Sequence, residues 1–257
     1  MKNEPILDQI GYNARMEKSI MDKLFFVDKI DPEVVLDFGC SNGALIHHLS
    51  QWMPQTQFIG YDNNPLMFKS APQFERVFYC SKWEQALERL GLFSNKKKAI
   101  VLSSVIHEIY HYGDADEVDC FWKMIFETGF DYIVIRDMIP SRSMDRLSDV
   151  NDVRKVLYHF NHTQKLQLFQ MHWGTIENNR QLIHFLLKYG YNDNWNREVK
   201  ENYFPLYRED LLAMIPPEYN IVYHEHYTLP YIYRSVKADV GIEIKDPTHL
   251  KLILERQ

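Results

Sequence analysis

Asp37, Gly39, Cys40, Ser41 and Gly43 stand together in the segment VVLDFGCSNG, residues 34–43. An acid followed by glycines suits a ligand that needs the backbone close to it, because glycine turns sharply and leaves no Cβ in the way. Nineteen residues beyond Gly43 comes Asp62, in QFIGYDNNP. A carboxylate at the tip of a neighbouring strand can accept from both hydroxyls of a ribose. That is the general arrangement for nucleosides at the carboxyl edge of a doubly wound sheet. A second group, His107-Glu108-Ile109-Tyr110-His111, spells HExxH. On a long helix this pattern sets two histidines on one face for zinc, with a glutamate to activate water. A single histidine of ordinary pKa could instead take a proton from a reacting hydroxyl or amine.

The elements that must position these residues alternate along the chain. Helical spacing over 11–30 ends at Asp31-Pro32. The apolar run at 34–38 reads as a buried parallel strand that breaks into the glycines, with a helix over 44–52 and a second strand over 57–61. Strands are expected at 76–80, 98–105 and 131–138, with helices at 83–91 and 116–129 between them. Residues 140–218 read as helical and irregular, and YNIVYHEHY and HLKLILERQ as late strands. Strands joined by helices imply a doubly wound α/β sheet. The expectation is one domain over 1–257 with a mainly helical insertion, 140–218, after strand five.

With loop, acid and alternation together, the chain resembles the class I S-adenosylmethionine-dependent methyltransferases. The resemblance implies a Rossmann-like methyltransferase fold and S-adenosylmethionine as cofactor. It makes Asp37, Phe38, Gly39, Cys40, Ser41 and Gly43 the first motif and Asp62 the ribose acid, with Asn63, Ser81 and Ser103 also facing the cofactor. Ser41 stands where the family often has a middle glycine. A dinucleotide fold needs GxGxxG, which this loop does not fit, and GxxxxGK[ST] is missing from it. The resemblance also places the segment His107–His111 at the end of strand four, where members face the methyl group and the acceptor. His107 is then the expected base, with Glu108 orienting it or facing solvent. Against a zinc peptidase, the motif follows AIVLSSV directly, and Gly113 leaves little helix to aim His111 at the same point. No metal is expected.

Ser103-Ser104-Val105-Ile106 stands where [DNS]PP[YF] would mark methylation of an exocyclic base amine, and no cysteine follows a proline. An oxygen or amine acceptor, oriented in line with the methyl group, is the simpler expectation. Residues 136–200 hold ten Lys or Arg against seven Asp or Glu, with aromatics interleaved. Arg142, Arg146 and Arg180 are the residues expected to grip an RNA or nucleotide acceptor. The same composition also describes an ordinary amphipathic helical segment, so the acceptor stays open between a polar small metabolite and RNA. His224 and His226 alternate on one strand face and read as polar surface. A net charge of −6 argues against broad nucleic-acid binding. Three separated cysteines imply no disulfide framework, and no stretch reaches membrane-span length, so a cytoplasmic setting is expected. A non-catalytic nucleoside-binding module is the alternative; the intact loop together with His107-Glu108 argues against it.

Overall fold

The computed structural model describes residues 19–192 and 194–257. The first part of the helical pattern at 11–30 lies outside these residues. Within them one helical turn, α1 (Ile20–Lys23), leads through turns to the first strand. β1 (Val34–Phe38) is buried at every position, as a strand with helices on both faces must be. There follow α2 (Ala44–Trp52), β2 (Gln57–Tyr61), β3 (Val77–Cys80), α3 (Trp83–Gly91) and β4 (Lys98–Ser103). Then come α4 (Ile106–Tyr112), α5 (Ala115–Glu127) and β5 (Tyr132–Asp137). After a 3₁₀ turn at Arg142–Met144 the chain forms α6 (Val150–Phe160), α7 (Gln164–Trp173), α8 (Asn179–Lys188), α9 (Trp195–Glu198) and α10 (Arg208–Met214). β6 (Tyr219–Tyr227), α11 (Pro230–Val240) and β7 (His249–Arg256) complete the described chain.

The seven strands form one sheet in the order β3-β2-β1-β4-β5-β7-β6, with β7 antiparallel to both neighbours and the first five strands parallel. Strand alternation divides the core. Leu36, Ile100, Leu102 and Ile133 pack with α3 and α5, while Val35, Val101 and Val134 pack with α2. A third apolar cluster joins Phe169, Phe185, Trp195 and Phe204 of the helical stretch to Val236 and Val240 of α11. Register carries Phe38 against Tyr61 and Leu102, and Ser103 against Arg136, so the carboxyl ends of β1, β2, β4 and β5 form one edge.

One local expectation is corrected. The fourth strand stops at Ser103, and the HExxH residues lie on a seven-residue helix rather than on a strand end. Ser104 adopts a left-handed φ of 58° that breaks the strand. The N–H of Ile106 then donates to Asp137 Oδ2 at 2.7 Å, satisfying one of the donors that a helix start leaves open.

Candidate active site

The loop after β1 uses left-handed backbone at Gly39 (φ 77°), Ser41 (φ 47°) and Gly43 (φ 73°). Ser41, at the place of a glycine, bears the side-chain cost of that region. Hydrogen bonds from the neighbouring strand hold it there. Gly39 and Cys40 donate their N–H groups to the Tyr61 carbonyl at 2.8 and 3.0 Å. Ser41 donates to Asp62 Oδ2 at 3.0 Å, and Asn64 to Asp62 Oδ1 at 3.0 Å. A Cβ on Gly43 would come within 2.4 Å of Tyr79 Oη, and one on Gly39 within 2.9 Å of Val105 Cγ2. Asp37 lies beneath the loop, its carboxyl pushed up to about 7 by burial, with Lys23 opposing and Asp62 adding. Asn63 and Ser81 follow the carboxyl ends of β2 and β3, and Phe38 ends β1.

These residues fit the cofactor expected of them. The Ser103 hydroxyl, at the same edge, is buried without a hydrogen-bond partner, and so is Tyr79 Oη. Buried hydroxyls left unmet by protein are what a polar ligand would satisfy. Each Asp62 oxygen accepts one N–H and keeps a lone pair.

Beyond the ends of β4 and β5 is a cavity of about 160 Å³ between the sheet and the helical stretch, lined by Ser104, His107, Glu108, Glu198, Glu201 and Tyr203 among others. His107 Nδ1 lies 2.7 Å from Asp137 Oδ1, and its Nε2 lies 3.4 Å from Glu201 Oε1. Burial alone would lower the imidazole pKa; Asp137 and Glu201 outweigh it and hold it well above its ordinary value. Burial would likewise raise Asp137, but His107 and the N–H groups of Met138 and Ile106 bring it down to about 2. Glu108 is pushed up to about 7, by burial first and then by Glu201, against His107 and Arg197. Arg197 approaches Glu108 at 3.5 Å and Glu198 at 3.3 Å. Lys188 is fully buried and donates to the carbonyls of Glu198 (2.6 Å) and Glu201, while the Tyr203 hydroxyl donates to the Glu198 carboxylate.

The structure thus sets His107 and Glu108 together on a cavity wall and gathers the loop residues with Asp62 and Ser103 at the sheet edge. It does not bring Arg142, Arg146 or Arg180 to the cavity. Arg142 pairs with Asp210 at 2.5 Å, Arg146 makes two 2.8 Å bonds to Asp246, and Arg180 donates to the Phe204 carbonyl. Of the interleaved aromatics, Phe169, Phe185 and Trp195 are buried core, whereas Tyr158 is exposed. Sequence reasoning missed Asp137, although an acid closing the apolar run DYIVIRD is the same signal as Asp62. It missed Glu198 and Glu201 as well, and no local pattern marks them.

No family model and no curated protein matches the chain. Solved structures match it along nearly its whole length at low identity. For the methyltransferase domain of bacterial CtHen1-C the identity is 12%, the match covers 94% of this chain and 98% of that one, and the TM-score is 0.50. For a SAM-dependent methyltransferase from Archaeoglobus fulgidus the values are 13%, 97% and 100%, with a TM-score of 0.49. The plantazolicin methyltransferase BamL, in complex with a triazolic desmethylPZN analog and SAH, gives 15%, 96% and 88%, with 0.47. The chain has a class I methyltransferase fold, as the CtHen1-C domain has. At this identity the likeness is one of fold alone.

Proposed function

We propose that the protein is an S-adenosylmethionine-dependent methyltransferase acting on a hydroxyl or amine of a small polar acceptor. One observation carries the reading: the left-handed loop 39–43 is tied to Asp62 at the carboxyl edge of a sheet with methyltransferase strand order. When bound, S-adenosylmethionine supplies a methyl group already activated on a sulfonium. The loop backbone would lie against it, Asp62 would accept from the ribose hydroxyls, and Ser103 would find the partner it lacks. Asn63 and Ser81 would flank the same crevice.

The acceptor would enter the cavity beside His107. About 160 Å³ suits a small group, and the arginines expected to hold RNA are paired with internal partners. Both features favour the metabolite over the RNA reading. His107 was expected to be the proton acceptor; Asp137 on its Nδ1 and Glu201 facing its Nε2 favour the protonated form of the ring, which argues against that role. Its role is to fix the carboxylates. Glu108, with a pKa near the working pH, is the better placed group to exchange a proton with the acceptor. Orientation in line supplies much of the remaining rate. Cys40, Cys80 and Cys120 are free thiols, and among the described residues no helix is long and apolar enough to cross a membrane; both fit the cytoplasmic setting.

Methyl-labelled S-adenosylmethionine incubated with the protein and fractionated cell extract tests this. Label in small molecules is the expected result. Label confined to RNA or protein would move the acceptor assignment. Cofactor binding without any label would favour the non-catalytic module.

A further inference from the structure

Glu201 has a side chain only 3% exposed, and its Oε1 makes no hydrogen bond. Its nearest cationic neighbour, His107 Nε2, stands off at 3.4 Å. A buried carboxylate oxygen left without a hydrogen bond is costly, so the position calls for a closer positive partner than the imidazole at 3.4 Å. Two further ligand groups are at hand. One atom each from His107, Glu108 and Glu201 lie within 4.8 Å of one another. His107 is also turned for the purpose. Its Nδ1 is engaged by Asp137, which leaves Nε2 facing Glu201, the carboxylate–histidine arrangement that orients imidazole towards a metal ion.

The surroundings hold these groups in place and leave a charge to balance. Lys188 grips the main chain at Glu198 and Glu201, so Glu201 is fixed from a buried helix. Asp137, Glu108, Glu198 and Glu201 contribute four negative charges against the two of Arg197 and Lys188. With the imidazole also protonated one negative charge is left over; an ion bound at Nε2 would displace that proton, and with the imidazole then neutral the difference is that of a dication. Arg136 also lines the cavity but is paired with Asp22 at 2.8 Å.

We propose that a divalent cation binds His107 Nε2 and the carboxylates of Glu108 and Glu201 inside the acceptor cavity. One imidazole with two carboxylates suits Mn²⁺ or Zn²⁺ rather than a soft ion. Ligand atoms around such an ion stand about 3 Å apart. Glu108, with 24% of its side chain exposed, has the freedom to close that gap by rotation. His111, the second histidine of HExxH, is not in the group; the third ligand comes from Glu201. The open positions of the ion face the cavity, where they would hold an acceptor oxygen and lower its pKa. With the ion in place, coordination takes over the activation assigned above to Glu108. Only this last role rests on the methyltransferase reading.

The test is a calorimetric titration of EDTA-treated full-length protein with MnCl₂, and then with ZnCl₂. Each sample is also titrated with S-adenosylhomocysteine and checked by circular dichroism. One ion per chain is expected for wild type, with at least a roughly tenfold weaker site in Glu201→Gln and in the more exposed Glu108→Gln. His111→Gln should bind the ion as wild type does. Loss of Mn²⁺ with S-adenosylhomocysteine affinity retained supports the site. Absence of stoichiometric binding of either ion by wild type, or unchanged binding in both folded glutamate variants, overturns it. Ion binding without any S-adenosylhomocysteine affinity would uphold the ion site and sink the methyltransferase reading instead.

Discussion

The backbone N–H of Ser41 donates to the Asp62 carboxylate at 3.0 Å, which makes the glycine loop after β1 and the acid after β2 a single unit. Asp62→Ala would therefore remove both the proposed ribose acceptor and the brace on a left-handed serine. Affinity for S-adenosylhomocysteine should fall by about 1–3 kcal/mol. Asp62→Asn, which keeps one acceptor oxygen without the charge, should lose less. Calorimetry on both variants checks this; unchanged affinity in folded Asp62→Ala would remove the residue from the site.

Gly43 is confined by Tyr79. A Cβ there meets Tyr79 Oη at 2.4 Å on a backbone with φ of 73°. Gly43→Ala should cost about 1–2 kcal/mol from the left-handed backbone, with the clash added. Tyr79→Phe removes the closest atom, so the double variant should be more stable in urea than Gly43→Ala alone. Gly43→Ala with wild-type stability would show that the loop is not held as described.

The strand-and-loop geometry of the proposed cofactor edge was legible in the sequence because its signals are local. The run at 34–38, the glycines and Asp62 each announce themselves within a few residues, and the strand pairing follows from alternation. The cavity proposed to take the acceptor was not legible, because its determinants are distant in sequence. Helix α4 begins where Asp137, on another strand, receives the Ile106 N–H, so the short span before Gly113 gave no sign of a helix. Glu201 reaches His107 from an irregular stretch that Lys188 pins from below in the chain. Arg142, Arg146 and Arg180 looked like a basic surface because their partners Asp210, Asp246 and the Phe204 carbonyl are also remote.

Asp137 holds His107 and caps α4 with one buried carboxylate. Asp137→Asn breaks a buried ionic pair by changing one partner and should destabilise the protein by about 3–5 kcal/mol. Urea unfolding at pH 7 measures it. A loss below about 1 kcal/mol, the usual size for an exposed pair, would contradict the buried geometry.

Lys23 is buried near Arg136 and the acids Asp37, Asp137 and Asp22, and desolvation lowers its pKa from 10.5 to about 8. Below pH 8 the folded chain carries the full cost of a buried ammonium. Between about 8 and 10.5 the unfolded chain holds a proton that the folded chain does not, so stability from this group rises with pH. Lys23→Met should raise the thermal midpoint at pH 7, and the gain should shrink by pH 10. A gain equal or larger at pH 10 would reverse the assignment.

The most direct test is titration of the wild-type protein with S-adenosylhomocysteine in a calorimeter, alongside Gly39→Arg, which fills the space against the loop. Saturable binding of one ligand per chain, abolished in a folded Gly39→Arg protein, is the expected result. No heat of binding from well-folded wild type at millimolar ligand, or equal binding by both proteins, would contradict a cofactor site at residues 39–43 and Asp62.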